Sequence, residues 1–208
     1  MVQPWYWNEL QHSGTDYGSI EEVERYDRRM AELRDVEAEN REILAALDLA
    51  PGATLIEIGT GTGALAIAAA TQGRRVVAMD ISPVMLAYAE TKAKAAGIRN
   101  IDFRLGGFLT HDYGGPAVDA VASSLALHHL PDFWKSVALD RTAALLKPGG
   151  RFFLMDVVYS FQSAPEDFFP QFFQRLPEVM KPNSVNPVAR EHSPRDWIMT
   201  GLLEHAGF

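Results

Sequence analysis

Residues 55–65 read Leu55-Ile56-Glu57-Ile58-Gly59-Thr60-Gly61-Thr62-Gly63-Ala64-Leu65. This stretch combines a short apolar run, a turn with three glycines and the beginning of an alanine-rich segment, which predicts a strand over 54–58 and a helix over 64–71. Glycines in such a turn let ligand atoms approach the backbone closely, and the amides at a helix N-terminus attract anions. The stretch therefore predicts a ligand-binding strand–turn–helix unit.

Asp80 supplies the second half of this signature. It ends the next predicted strand, over 75–79, and lies 21 positions after Gly59 (80 − 59). A carboxylate at the carboxyl edge of the neighbouring strand can accept two hydrogen bonds from a ribose diol, at the switch point of the sheet. The segment from Gly59 to Ala64 also matches the G-x-G-x-x-A pattern of dinucleotide enzymes, so both kinds of ligand remain open at this point.

Apolar runs and helical stretches continue to alternate after Asp80. Ser82-Pro83 predicts the capped start of a helix that extends to about residue 96. Further strands are predicted over 101–104, 117–123 and 151–157, with a helix over 132–146 before the last of them. Near-continuous apolar strands separated by helices imply a parallel sheet covered on both faces. We expect an α/β fold with a doubly wound, mainly parallel sheet.

The segments on either side of this core have different compositions. Ser19-Ile20-Glu21-Glu22 has the form of a capping box, and the apolar positions that follow predict one long amphipathic helix up to Pro51-Gly52. The aromatic-rich residues 1–18 are expected to fold over the ligand as a lid. Residues 1–50 are therefore interpreted as a helical cap, 51–160 as the binding core, and 161–208 as a Pro/Phe-rich helical segment with a last capped helix.

Composition excludes several classes of function. Nineteen Lys+Arg against 27 Asp+Glu give a net charge of −8, which disfavours binding to the phosphates of nucleic acids. The absence of cysteine excludes disulfides and thiolate chemistry within this sequence. Because no apolar run approaches the ~18–20 residues of a membrane span, no membrane partner is expected. We expect a cytoplasmic protein with a small-molecule substrate.

Four motifs in order make the chain resemble the class I S-adenosylmethionine (SAM)-dependent methyltransferases over residues 50–160. These motifs are Glu57-Ile58-Gly59-Thr60-Gly61-Thr62-Gly63, Met79-Asp80-Ile81-Ser82-Pro83-Val84-Met85-Leu86, Val118-Asp119-Ala120-Val121-Ala122-Ser123-Ser124-Leu125-Ala126-Leu127-His128-His129-Leu130 and Leu145-Leu146-Lys147-Pro148-Gly149-Gly150-Arg151. The resemblance implies a Rossmann-like methyltransferase fold and SAM as the cofactor. It implies transfer of a methyl group by in-line displacement.

Carried onto this sequence, the resemblance also implies a set of cofactor contacts. The glycine turn cradles the methionine part of SAM, Glu57 orients its amino group, and Asp80 holds the ribose hydroxyls. An acid that many members carry after the third strand is missing from Gly106-Gly107-Phe108, so adenine is expected to meet Gly107 and Phe108. The implied cofactor-binding residues are Tyr26, Glu57, Gly59, Thr60, Gly61, Gly63, Asp80, Ile81, Met85, Gly107, Phe108, Ser123 and Leu125.

The acceptor and the catalytic base are less constrained. Ser123-Ser124-Leu125-Ala126 replaces the Asn/Asp-Pro-Pro-Tyr/Phe run of amino-methylating DNA and protein enzymes, which favours a small, largely apolar acceptor. His128 is the candidate base, since a histidine titrates near neutrality, and no metal site is expected. Aromatics of residues 5–17 and 159–173 either roof the acceptor pocket or form an apolar cap without ligand contact. A non-catalytic SAM-binding module and an NAD-dependent oxidoreductase remain as alternative functions.

The family's sheet has seven strands, and only five can be identified here. We therefore expect the C-terminal strands to be missing from this sequence, which makes residues 152–158 an edge strand with unpaired backbone groups. We expect this edge to pair with sequence beyond Phe208, with a second copy in a homodimer, or with the Pro-rich segment.

Overall fold

Five parallel strands form one sheet in the computed structural model, which describes residues 4–10, 19–176, 178, 180–181, 185 and 189–208. The strands are β1 (Thr54–Ile58), β2 (Arg75–Asp80), β3 (Ile101–Leu105), β4 (Val118–Ser124) and β5 (Leu146–Met155). Their order is β3-β2-β1-β4-β5, and all neighbouring strands are parallel. Strands are added toward one edge from β1 to β3 and toward the other edge from β4 to β5, so the strand order reverses between β1 and β4. This order confirms the doubly wound α/β fold.

Helices connect the strands and flank the sheet. They are α1 (Ile20–Leu33), α2 (Val36–Leu47), α3 (Ala64–Thr71), α4 (Pro83–Ala95), α5 (Asp132–Leu145), α6 (Pro165–Arg175) and α7 (Asp196–His205). In the described part of the chain, none of the helices has both the length and the apolar character needed to cross a membrane. The Ser82 side chain caps α4 as predicted, because its hydroxyl accepts a hydrogen bond from the Met85 amide at 3.2 Å.

Alternation along the strands distributes the core over the two faces of the sheet. In β1, Leu55 packs into a cluster with residues of α2 and α3, whereas Ile56 and Ile58 pack into a second cluster with residues of α5 and α7. Successive side chains of a strand point to opposite faces, so one apolar run supplies both clusters. Burial on both faces explains why the strand sequences read as continuous apolar runs.

The single long N-terminal helix predicted from the sequence is wrong. The chain becomes extended at Arg34, and the Asp35 carboxylate accepts a hydrogen bond from the Ala38 amide at 2.9 Å, which starts a second helix. Ser19 precedes α1 as the N-cap residue, but its side chain makes no capping hydrogen bond. Of the proposed lid, residues 1–3 and 11–18 lie outside the described residues, and its closing over a ligand remains a prediction.

Strand β5 lies at one edge of the sheet, as predicted. It begins earlier than expected, at Leu146, and its register against β4 shifts between Val118 and Ala120. Beyond the strand, Tyr159 bridges Arg195, and the Phe152 ring lies 4.9 Å from the Phe208 ring. What pairs with the outer edge of β5 remains a prediction.

The phenylalanines of residues 161–173 pack mainly against one another. Phe161 stacks on Phe168 at 4.3 Å, and Tyr159 meets the edge of Phe169 at 5.3 Å. Each of these rings contacts another aromatic ring, and their shared surface lies along α6. Whether these aromatics roof the acceptor pocket or only form an apolar cap remains a prediction.

Candidate functional site

A pocket opens at the carboxyl ends of β1, β2 and β4, where the strand order reverses. Parallel sheets of this kind bind ligands at that position. The pocket and the open space at its mouth together comprise about 940 Å³. Its lining residues are Trp7, Glu9, Tyr26, Ile58, Gly59, Gly61, Asp80, Ile81, Ser82, Met85, Gly107, Phe108, Ser124, Leu125, Ala126, His129 and Leu130.

The turn after β1 requires glycine for steric reasons. Gly59 has φ +80°, and a Cβ atom there would lie 2.5 Å from the Cβ of Ala126. Gly61 has φ +54°, and a Cβ atom there would meet nothing within 4 Å because it would point into open space. Backbone on that side of the turn is therefore accessible to a ligand.

Four amides of this turn donate hydrogen bonds within the chain. Gly59 and Thr60 both donate to the Met79 carbonyl at 2.9 Å, and Gly63 donates to the Thr60 carbonyl at 2.9 Å. The Gly61 amide donates to a carboxylate oxygen of Asp80 at 2.8 Å. These four amides are therefore engaged within the chain, and Thr60 and Gly63 do not line the pocket.

Asp80 lies where the sequence predicts it, at the end of β2 facing the glycine turn. One carboxylate oxygen accepts the Gly61 amide, and the other accepts the Ser82 amide at 2.8 Å. A carboxylate oxygen has two lone-pair directions, so it can accept a second hydrogen bond beside that of a backbone amide. Its two backbone bonds fix the orientation of the carboxylate before any ligand binds.

Glu57 lies beneath the turn and does not line the pocket. Its side chain is buried and accepts a hydrogen bond from the Thr60 hydroxyl at 2.7 Å. Burial raises the pKa of Glu57 from 4.5 to about 8; the Thr60 hydrogen bond opposes this rise, and the nearby charge of Asp80 adds to it. Direct contact between Glu57 and a ligand would therefore require a rearrangement of the turn.

The second wall consists of residues that follow β2 and β3. Ile81, Met85, Gly107 and Phe108 all line the pocket, as the sequence predicts, and form a largely apolar surface. A Cβ atom at Gly107 would lie 2.8 Å from both Glu9 Oε2 and Ile81 Cγ2. Only glycine fits between these two side chains without displacing one of them.

Glu9 brings a carboxylate to this wall from the N-terminal segment. Its Oε1 atom accepts hydrogen bonds from the Leu109 amide at 2.8 Å, and from the Thr110 amide and hydroxyl at 2.6 Å each. Burial raises the pKa of Glu9, and these hydrogen bonds oppose the rise. The side chain therefore attaches residues 4–10 to the loop after β3.

At the carboxyl end of β4, the side chain of Ser123 does not line the pocket, and a cofactor contact with the main chain there remains a prediction. Ser123 is buried and donates its hydroxyl to the Ile58 carbonyl at 2.8 Å, whereas the next residue, Ser124, lines the pocket. Neighbouring residues of a strand face opposite sides, so only one of the two serines can face the ligand. Leu125 does line the pocket, and its φ of +54° is rare for a non-glycine residue and typical of functional loops.

At the adjacent histidines, too, the second residue of the pair lines the pocket and the first does not. His128, the predicted base, is buried outside the lining of the pocket, with Nδ1 2.5 Å from Asp156 Oδ1 and Nε2 3.4 Å from Glu191 Oε2. Its neighbour His129 lines the pocket. The two imidazole rings lie 4.2 Å apart between centroids.

The ionisable groups of the pocket wall are mainly acidic. Glu9 and Asp80 contribute carboxyl groups to the wall. Among the residues that the structure describes, no lysine or arginine lines this pocket. The local charge therefore favours a cationic ligand over an anionic one.

Comparison with known proteins identifies the family. Residues 55–150 match the family model for a methyltransferase domain. An uncharacterized methyltransferase of Geobacillus kaustophilus is 31% identical over 89% of this chain and 81% of its own length. The chain belongs to the class I SAM-dependent methyltransferases. This assignment confirms the family resemblance of the four motifs and removes the support for an NAD-dependent oxidoreductase.

Other similarities cover less of the relatives. A ubiquinone biosynthesis O-methyltransferase of Xylella fastidiosa (strain 9a5c) is 35% identical over 51% of this chain and 42% of its own length. The chain spans about two fifths of the length of several curated methyltransferases that it matches. A putative methyltransferase structure from Bacillus halodurans C-125 aligns with a TM-score of 0.66 at 20% identity, covering 82% of this chain and 69% of that one, which shows the shared fold.

Several residues that line the pocket of this methyltransferase belong to no motif position that predicts contact with a ligand. Trp7 and Glu9 come from a segment without periodicity, and Glu9 meets a loop that lies about 100 residues later in the chain. Ala126 and Leu130 lie inside the fourth-strand motif but have no distinctive chemistry. Tyr26 of α1 does line the pocket as predicted. For Glu9, no local signal in the sequence distinguishes it from the other acidic residues.

Proposed function

We propose that this chain binds SAM in the pocket beside Asp80 and transfers its methyl group to a small, largely apolar acceptor. The observation that carries the proposal is the charge of the wall, where Glu9 and Asp80 contribute carboxyl groups and no described lysine or arginine takes part. SAM carries a positive sulfonium and an ammonium group, so this wall attracts it. A dinucleotide would bring two phosphates against the same carboxyl groups.

The residues around the turn fit the sugar and amino-acid parts of SAM. We assign both ribose hydroxyls to the carboxylate of Asp80, which two backbone amides hold beside the glycine turn. The open side of Gly61 leaves room for the methionine part. Because an ammonium group only donates hydrogen bonds, we assign its recognition to backbone carbonyls, with Glu57 acting from beneath.

The adenine end combines apolar surface with one carboxyl group. Ile81, Met85 and Phe108 supply the surface, and Gly107 allows close approach. The acid that many members carry after the third strand is absent here, and Glu9 places a carboxyl group beside Gly107 instead. We assign to Glu9 the role of acceptor for the exocyclic amino group of adenine, which is a hydrogen-bond donor.

The protein's part in the reaction is positioning. SAM supplies an activated methyl group, whose transfer breaks its bond to sulfur while the bond to the acceptor forms. Alignment of the two reactants accounts for a large share of the rate enhancement, so no covalent nucleophile is needed. Where the acceptor carries a proton, we assign its removal to His129, which lines the pocket, rather than to His128.

The acceptor class follows from the wall near the end of β4. Trp7, Leu125, Ala126 and Leu130 give this end of the pocket an apolar surface. The net charge of −8 disfavours a nucleic-acid acceptor. The similar protein of Xylella fastidiosa is named as an O-methyltransferase, which favours an oxygen acceptor here.

Calorimetric titration with SAM and with NAD tests the cofactor assignment. Asp80→Ala should weaken SAM binding by about 1.5–3 kcal/mol, or roughly 10- to 150-fold, the range for hydrogen bonds to a charged group. Asp102→Ala, at a carboxylate in the exposed ion pair with Arg104, is the matched control and should bind SAM as the wild type does. Equal SAM affinity in Asp80→Ala and wild type would show that the ribose is held elsewhere.

The acceptor assignment is tested by incubating the protein with methyl-labelled SAM and a metabolite extract. We expect label in a small, apolar, hydroxylated product. SAM binding without any labelled product would support the non-catalytic binding module instead. Label in nucleic acid or protein would overturn the proposed acceptor class while leaving the cofactor assignment intact.

A further inference from the structure

Two histidines and one glutamate meet next to the acceptor end of the pocket. One ligating atom from each of His128, His129 and Glu191 lies within 4.8 Å of the other two. These residues come from the turn after β4 and from the segment before α7, so the fold brings them together across more than 60 residues (191 − 128 = 63). A direct link between the two segments is the His192 amide, which donates to the His128 carbonyl at 2.8 Å.

The geometry points to a divalent transition-metal site formed by His128, His129 and Glu191; this is our own proposal. The distance between His128 Nε2 and Glu191 Oε2 is 3.4 Å. This distance is longer than an ordinary N–H···O hydrogen bond. It matches the edge of a tetrahedron whose centre lies about 2.0–2.1 Å from each ligand, which is about 3.3 Å, the arrangement that Zn²⁺ adopts with nitrogen and carboxylate ligands.

Asp156 orients His128 as an outer-shell carboxylate orients a metal-binding histidine. Its Oδ1 atom lies 2.5 Å from His128 Nδ1, which directs Nε2 toward Glu191. The carboxylate of Asp156 is itself held by the backbone amides of His128, at 3.0 Å, and Val157, at 2.7 Å. A carboxylate–histidine–metal arrangement requires this combination of a fixed acceptor and a directed ring.

The ligand set selects the class of metal. Two imidazoles and one carboxylate suit Zn²⁺ and other first-row transition ions, whereas Mg²⁺ and Ca²⁺ prefer oxygen ligands. Three protein ligands leave a fourth position open, as in catalytic rather than structural zinc sites. His129 belongs both to this cluster and to the wall of the pocket, so the open position is adjacent to the space for the acceptor.

The role of such an ion rests on the proposed function, whereas its binding does not. With the ion bound, His129 would be a ligand rather than the proton acceptor, and an acceptor hydroxyl coordinated to the ion would release its proton to water more readily. The resulting oxygen would form a bond to the methyl carbon as the carbon–sulfur bond breaks, and that bonding pair would stay on sulfur as a neutral thioether. The cluster thereby narrows the acceptor to compounds that present a hydroxyl group at the apolar end of the pocket.

The test uses the full chain, stripped with a chelator and titrated with Zn²⁺ by calorimetry and with Co²⁺ by visible absorption. We expect one ion per chain and a Co²⁺ spectrum with the intensity of a tetrahedral site. His129→Gln and Glu191→Gln should each weaken binding at least tenfold, and Asp156→Asn should weaken it about 10- to 100-fold. His205→Gln, at a histidine of α7 outside the cluster, should bind like the wild type.

Three outcomes would overturn the site. They are no binding of either ion below about 1 mM, equal affinity in His129→Gln and wild type, or an equal loss in His205→Gln, which would indicate an adventitious ion only. Circular dichroism of each variant separates loss of a ligand from loss of folding. SAM titrations on the same samples keep the two proposals distinct, since metal binding without SAM binding would refute the proposed function alone.

Discussion

The buried carboxyl group of Glu57 makes the stability of this methyltransferase depend on pH in a specific way. Glu57 is 4% exposed, and its burial, together with the charge of Asp80, keeps it protonated in the folded chain up to a pKa of about 8. An unfolded chain releases the same proton near 4.5. Glu57→Gln removes the titration while it keeps the size of the side chain and its ability to accept the Thr60 hydroxyl.

The sign and the magnitude follow from proton linkage. Because the pKa is raised in the folded state, Glu57 contributes its full stability below pH 4.5 and loses it as the pH rises toward 8. Within this window the loss is about 1.4 kcal/mol for each pH unit. Between about pH 5.5 and 7.5, the free energy of unfolding of the wild type should therefore fall by roughly 2–3 kcal/mol relative to that of Glu57→Gln.

Urea unfolding of both proteins across this pH range measures the difference. Contributions from other titrating groups cancel in the comparison, because both chains contain them. Glu90→Gln serves as the control, since Glu90 is an exposed carboxylate paired with Lys94, and its curve should follow the wild type within about 0.5 kcal/mol. Parallel curves for wild type and Glu57→Gln would refute the argument that Glu57 is protonated in the folded chain.

Three further predictions concern the turn, a helix end and the adenine wall. Gly59→Ala should lower the free energy of unfolding by about 1–3 kcal/mol more than Gly61→Ala does. Both glycines have positive φ, but only a Cβ atom at residue 59 would meet Ala126. Equal shifts of the thermal unfolding midpoint in the two variants would contradict this. Asp48→Gly should stabilise the chain by about 0.5–1 kcal/mol, since Asp48 ends α2 at φ +45° and its exposed pair with Arg151 is weak. A lower midpoint in urea would show that the pair outweighs the backbone strain. Glu9→Gln should weaken SAM binding about three- to tenfold by calorimetry, whereas the surface change Glu21→Gln should not, and an unchanged dissociation constant would remove Glu9 from the adenine site.

Much of the fold could be predicted because its signals are local. The strands over 54–58 and 75–79, the glycine turn and the capped helix after Ser82 each depend on neighbouring residues, and the structure places them within one residue of expectation. The position of Asp80 could be predicted in the same way, because the carboxyl end of a buried strand can be recognised where its apolar run ends. The prediction of one long N-terminal helix was wrong because the apolar period continues past Asp35, whose side chain caps a new helix.

What the sequence alone determined is the parallel sheet, the switch point and the carboxylate that faces the glycine turn, because each is written in residue types at short spacing. Only the tertiary structure decided which of two neighbours faces the pocket: Ser124 rather than Ser123, and His129 rather than His128. That choice depends on which way the last residues of β4 and the turn after it face. The sequence does not distinguish the two serines or the two histidines in this respect. The tertiary structure also brought Glu9 to the loop after β3 and Glu191 to His128, since contacts between distant segments depend on the packing of the whole chain.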